Sequence, residues 1–172
     1  YAIRNDGMLF SWGRNDFGQL GTNDTLTRSS PTQISTDSWQ QVATGGLNGV
    51  ALRSDGTLWG WGENSAGQVG NGTNINYSSP VQVIGTNSFS QVNSGTGFTF
   101  GIDILGKLWA WGSNNSGQLG DGTTVNRNSP VQIGNSSWIQ IAAGQTHAVG
   151  IDSLGKMYAW GFNTQYQLGT ND

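Results

Sequence analysis

Cysteine is missing from this chain of 172 residues, and charge is scarce. Without cysteine there are no disulfides, no thiolate metal sites and no cysteine nucleophile. Charged residues make up 10% of the chain, against about 25% in an average globular protein. No apolar run approaches the roughly 20 residues of a membrane-spanning helix, so no membrane insertion is expected. Five Arg and two Lys against ten acids give a formal net charge of −3. The seven cations are scattered, which leaves no basic footprint for a nucleic-acid backbone. Glycine (28 residues), Ser, Thr and Asn take the place of the missing charge, while apolar residues stay at 34%. Eight Trp argue against disorder, because disordered chains are poor in aromatics.

What the chain has is a repeat. A Trp-Gly pair recurs at Trp12-Gly13, Trp61-Gly62, Trp111-Gly112 and Trp160-Gly161, at spacings of 49, 50 and 49 residues. Each pair opens one phrase. Asn15, Gly18, Gln19, Leu20 and Gly21 return as Asn64, Gly67, Gln68, Val69 and Gly70, and again as Asn114, Gly117, Gln118, Leu119 and Gly120. The last copy keeps Asn163, Gln167, Leu168 and Gly169 but has Tyr166 in the glycine slot. Ser30-Pro31, Ser79-Pro80 and Ser129-Pro130 follow at a fixed distance. After them come Trp39, Gln41 and Val42; Phe89, Gln91 and Val92; and Trp138, Gln140 and Ile141.

Within a repeat the apolar period is two. Val50 and Leu52, the turn Asp55-Gly56, then Leu58 and Trp61 read as a tight hairpin. Further strands are expected at Val81–Ile84 and Phe89–Asn93, which makes four per unit of about 50 residues, the pattern of a propeller blade. The fold class is therefore all-β, a propeller array. The units divide as a half repeat over 1–24 and repeats over 25–73, 74–123 and 124–172. Gly18, Gly67 and Gly117 are expected where a left-handed turn passes close to neighbouring backbone. Tyr166 predicts a distorted or solvent-exposed loop. Asn15, Asn64, Asn114 and Asn163 are expected to satisfy loop backbone groups.

The phrase Trp-Gly-x-Asn-x-x-Gly-Gln-Leu-Gly, preceded by Asp-Gly and followed by Ser-Pro-Val, resembles the repeat of the regulator of chromosome condensation family. The resemblance spans essentially the whole chain. It implies a seven-bladed propeller, which at about 50 residues a blade needs about 350 residues, so this chain reads as half a propeller or the ordered part of a longer chain. It also implies a rigid platform that binds another macromolecule. Guanine-nucleotide exchange is the less favoured family precedent, since so little charge is present. A light-sensing role, which the family also contains, rests on Trp clustered beside Arg, and no Arg adjoins the Trp in sequence.

No catalytic residue, cofactor or metal site is expected. The one histidine, His147, shares its slot with Asn48 and Phe98, and no nucleophile phrase or carboxylate pair accompanies it. Binding is expected in the segments that vary between repeats, Thr22–Ser29, Asn71–Ser78 and Asp121–Asn128, through Arg28, Asn74, Asn76, Tyr77, Asn126 and Arg127. Loops held by a rigid scaffold carry function more often than strands. The partner is expected to be a protein or a cell or virion surface, with an extracellular or surface location favoured. The alternative is a structural or adhesive component of such a surface. End-to-end self-association is expected because Tyr1–Trp12 and Val149–Trp160 read as orphan hairpins, which are marginal alone.

Overall fold

A computed structural model describes residues 1–170. Fourteen strands run in chain order: β1 (Ala2–Ile3), β2 (Leu9–Gly13), β3 (Arg28–Gln33), β4 (Trp39–Thr44), β5 (Asn48–Arg53), β6 (Leu58–Gly62), β7 (Tyr77–Gln82), β8 (Phe89–Gly95), β9 (Phe98–Asp103), β10 (Leu108–Gly112), β11 (Arg127–Gln132), β12 (Trp138–Ala143), β13 (His147–Asp152) and β14 (Met157–Gly161). They form four antiparallel meanders, β1–β3, β4–β7, β8–β11 and β12–β14. Among the described residues the first sheet has no counterpart of the inner strand β4, and the fourth has none of the outer strand β7. Both end hairpins thus gain a third strand and are not orphans.

The blades are phased half a repeat away from the units divided at 24/25, 73/74 and 123/124. Those points fall in the loops before β3, β7 and β11, inside a blade, because the Trp-Gly phrase joins the third strand of a sheet to its fourth. The outer strand also starts earlier than Val81–Ile84. It opens at Tyr77, opposite Gly62, and its register slips before Val81 meets Gly60. Pro80 stands in the slipped stretch. Proline cannot donate to a ladder and is confined to edges and bulges, so Pro31, Pro80 and Pro130 all mark outer strands.

The core lies between blades. Leu9, Trp39, Ala51 and Trp61 fill the first interface. Val50, Leu52, Leu58, Phe89, Val92 and Trp111 fill the second. Phe100, Leu108, Trp138 and Ile141 belong to the third. The Trp of each Trp-Gly pair after the first crosses to the preceding repeat. The Trp61 indole donates to the Gln19 carbonyl at 2.8 Å, Trp111 to Gln68 at 3.0 Å and Trp160 to Gln118 at 3.0 Å. Trp61 and Trp111 are fully buried, whereas Trp12 is 44% exposed and has no hydrogen-bond partner among the described residues. At the inner strands, the Gln41 amide both donates to the Val92 carbonyl (2.9 Å) and accepts from the Val92 amide (3.0 Å). Gln41 is therefore an inter-blade clamp, and its counterpart Gln91 donates to the Ile139 carbonyl of the next blade at 2.9 Å.

The glycine slot behaves as expected in two of three copies. Gly18 and Gly67 have φ of 78° and 85°. A Cβ at Gly18 would lie 2.5 Å from Ser78 Cα, and one at Gly67 would meet the Arg127 carbonyl oxygen at 2.7 Å. Gly117 has the same φ sign, at 71°, but no backbone close against it. Tyr166 keeps the turn, with φ 58° and the same hydrogen bonds from Tyr166 to Asn163 and from Gly169 to Tyr166. Its loop is exposed (71%) and undistorted.

Candidate functional site

Each variable segment is held from within. The Asn64 side chain accepts from the Val69 amide (2.9 Å) and donates to the carbonyls of Thr73 (2.9 Å) and Ile75 (3.0 Å). Asn15 and Asn114 do the same in their loops. Asn163 accepts from the Leu168 amide at 3.1 Å. These amides replace a regular ladder where the chain has none, so the loops are built parts of the scaffold.

Three of the six expected binding residues come together. Asn74, from the loop before β7, faces Asn126 and Arg127 of the next repeat across a cleft of about 280 Å³, which Ala66, Asn128, Ser129 and Val131 complete. Asn128 closes the expected segment Asp121–Asn128 but was not singled out within it, although it departs from the Ser that precedes Ser-Pro in the other two copies. Its amide donates to the Gly72 carbonyl (3.0 Å) and to Asn74 Oδ1 (3.3 Å), tying the two walls.

Arg28, Asn76 and Tyr77 do not line this cleft. Arg28, Tyr77 and Arg127 each open an outer strand. Arg28 pairs with Asp24, in a loop remote from the cleft in sequence. The Tyr77 hydroxyl lies 3.3 Å from Thr73 Oγ1. Asn76 and Asn126 use Oδ1 to accept from the amides of Asn64 (2.9 Å) and Asn114 (2.8 Å), so much of their chemistry is already committed to the loop. Arg127 pairs with Asp121 at 2.7 Å, both largely covered. Burial works against ionisation of Asp121, but hydrogen bonds from Thr123 and Arg127 outweigh it and hold its pKa below the ordinary value. The cleft therefore offers amides, a hydroxyl and part of a guanidinium.

Two further observations bear on chemistry. His147 opens β13 and lies over Gly144, where it leaves no room for a Cβ, a packing role. Among the described residues, no three His, Asp or Glu are grouped to hold a metal ion. The sequence expectation that Arg keeps apart from Trp is overturned. Arg53 stacks 3.7 Å over the Trp59 ring and lies 5.2 Å from Trp39, while its Nη2 donates to Asp37 at 2.5 Å. Trp39 lies fourteen residues before Arg53 in sequence, so only the pairing of β4 with β5 joins them.

Residues 6–52, 55–102 and 106–151 each match the model of the Regulator of chromosome condensation (RCC1) repeat. A second model of that repeat matches 39–68, 89–118 and 138–167. No curated protein matches the chain. Among solved structures, human WBSCR16 superposes with a TM-score of 0.89 at 24% identity, over 99% of this chain and 47% of that one. Prp20p from Saccharomyces cerevisiae, solved alongside its binding properties to Gsp1p and histones, gives 0.83 at 21% identity over 99% and 45%. Yeast RCC1 (Prp20) with Kap60 bound gives 0.82 at 19% identity over 99% and 44%. The chain spans about half the length of these solved chains.

Proposed function

Because the chain belongs to the Regulator of chromosome condensation (RCC1) repeat family, we propose that it is a rigid, non-catalytic platform that holds a protein partner at the cleft between Asn74 and Arg127. One observation carries the reading. The cleft takes its walls from successive repeats, and the Trp111–Gln68 and Asn128–Gly72 hydrogen bonds fix those walls relative to each other. Polar groups already in place cost little ordering on association. Prp20p is described with its binding to Gsp1p and histones, and yeast RCC1 with Kap60. Fold alone does not name a partner, so those identities stay with those proteins. Low charge and abundant Asn, Ser, Thr and Gly favour an extracellular or surface setting.

The test places a photo-crosslinking residue at Ser129 and identifies the protein it captures. Asn74→Ala combined with Arg127→Ala should then weaken that partner by about ten-fold or more and leave the melting temperature unchanged. Loss of stability with intact binding would sink the proposal.

A further inference from the structure

The end of the sheets opposite the cleft carries the turns that join β1 to β2, β5 to β6, β9 to β10 and β13 to β14. In the first two blades these tips are polar: Asn5 and Asp6, then Ser54 and Asp55. In the last two they are apolar and project into solvent. Ile104 is 68% exposed, Leu105 75% and Leu154 91%. The turn itself needs no apolar residue, as Ser54 and Asp55 demonstrate.

The two apolar tips belong to one surface. The Trp138 amide donates to the Gly106 carbonyl at 2.7 Å, and the Ser153 amide to the Ser137 carbonyl at 2.8 Å. The Ser137–Trp138 segment is thus bound by the third tip on one side and the fourth on the other. Ile139, the residue that follows this segment in β12, is 54% exposed. The only two lysines of the chain, Lys107 and Lys156, stand directly behind Leu105 and Leu154. Lys107 spends one donor on the Asn135 carbonyl at 2.7 Å, which leaves its charge unneutralised. The carboxylates of these hairpins, Asp103 and Asp152, are buried and engaged by turn amides. The charge left at the surface of the tips is cationic. Contiguous exposed apolar side chains with a charged border mark interaction sites.

We propose that this rim docks an acidic protein segment with spaced apolar side chains. Leu105 and Leu154 are its apolar anchors, and Lys107 and Lys156 meet the partner's carboxylates. Ile104 and Leu105 form one side of a cleft of about 260 Å³ that Thr86, Asn87, Ser88 and Asp103 complete. The apolar side suits a partner's side chain and the hydroxyl and amide groups suit its backbone, a pairing that a polypeptide supplies and an anionic lipid surface does not. The rim is separate from the Asn74–Arg127 cleft, so either can fail without the other.

The test uses the whole chain and three probes: a fluorescein-labelled peptide of alternating Glu and Leu, its Lys–Leu counterpart, and vesicles of equal parts phosphatidylcholine and phosphatidylserine. The Glu–Leu peptide should bind and shift the amide resonances of Leu105, Lys107, Leu154 and Lys156. Leu105→Ser with Leu154→Ser should weaken it by about ten-fold or more at an unchanged melting temperature. Lys107→Gln with Lys156→Gln should weaken it and flatten its salt dependence. The proposal is overturned by absent binding, by equal binding of the Lys–Leu peptide, or by shifts confined to the Arg127 cleft. Vesicle capture through the leucines without peptide binding would assign the rim to a membrane and overturn it too. A dimer dissolved by the leucine variant would assign the rim to a second copy and overturn it likewise.

Discussion

The β5–β6 and β9–β10 hairpins occupy the same place in successive blades and close their turns in opposite ways. In the first, Arg53 leads the turn and Asp55 sits inside it, accepting from the Thr57 amide at 2.9 Å and its hydroxyl at 2.6 Å. Arg53 is free to stack over Trp59, whose indole donates to Thr57. In the second, Asp103 leads and Leu105 sits inside. Asp103 Oδ1 accepts from the amides of Leu105 (2.9 Å) and Lys107 (2.8 Å), and Oδ2 accepts from the Trp109 indole at 3.0 Å. The outer hairpins follow suit, with Arg4 and Asp6 in the first blade and Asp152, Leu154 and Tyr158 in the fourth. One carboxylate per hairpin caps the turn. Its position decides whether the tip is polar or released to carry an apolar residue.

Both kinds of hairpin hang on the same inter-blade tryptophans, so the largest effect should ignore the difference between them. Trp111→Ala is expected to cost about 3–5 kcal/mol and to loosen the second and third blades together, since repeat arrays are stabilised by nearest neighbours. Trp12→Ala, at the half-exposed copy, should cost under about 1 kcal/mol. Chemical denaturation of the two variants checks this, and equal losses would break the register assigned to the Trp-Gly pairs.

Asp103→Ala comes next. It takes a buried carboxylate away from four donors, the Asn87 amide among them, and hydrogen bonds to charged groups are worth about 1.5–3 kcal/mol each, so a loss of about 3 kcal/mol or more is expected. Asp55→Ala, at an exposed turn, should lose about 1 kcal/mol. The sharper experiment converts one kind into the other. Asp103→Arg with Leu105→Asp should recover most of the stability that Asp103→Ala forfeits, and a double variant as unstable as the single one would refute the two-solution account.

The two kinds share a pH response. For Asp55, the Thr57 hydroxyl and amide hold the carboxyl below its ordinary value. For Asp103, burial opposes ionisation but the Trp109 indole and the Lys107 and Leu105 amides prevail. Asp152 is lowered by the Lys156 amide against burial. A depressed folded-state pKa stabilises the protein above the unfolded value, about pH 3.9 for Asp. That stability is lost as pH falls through the folded value. The melting temperature should therefore be level above about pH 5 and drop steadily below about pH 4. Asp103→Asn should flatten the drop.

The smallest effect belongs to Arg53→Ala, which removes a largely covered cation stacked on Trp59 and should cost about 1 kcal/mol. Trp fluorescence should report the change more clearly than a melt.

The repeat itself is legible in the amino-acid order. A spacing of 49 or 50 residues, a period of two, and turn glycines are local signals, and they determine strand, hairpin and blade without knowledge of distant contacts. Asn64 as a loop anchor and Trp61 as core were readable because every copy repeats them. Arg53 against Trp39, Asn128 against Gly72, and Gly106 against Trp138 were not. Each joins residues that neighbour only through strand pairing or blade packing, and a one-dimensional pattern carries no such distances. The start of β7 at Tyr77 belongs with them, since the slip in register is imposed by Gly62 and Pro80 on facing strands. Sequence alone determined the repeating unit and its turns. Tertiary structure decided which side chains meet across blades, which carboxylates are buried, and which tips remain exposed, because those outcomes depend on the closeness of units some 50 residues apart.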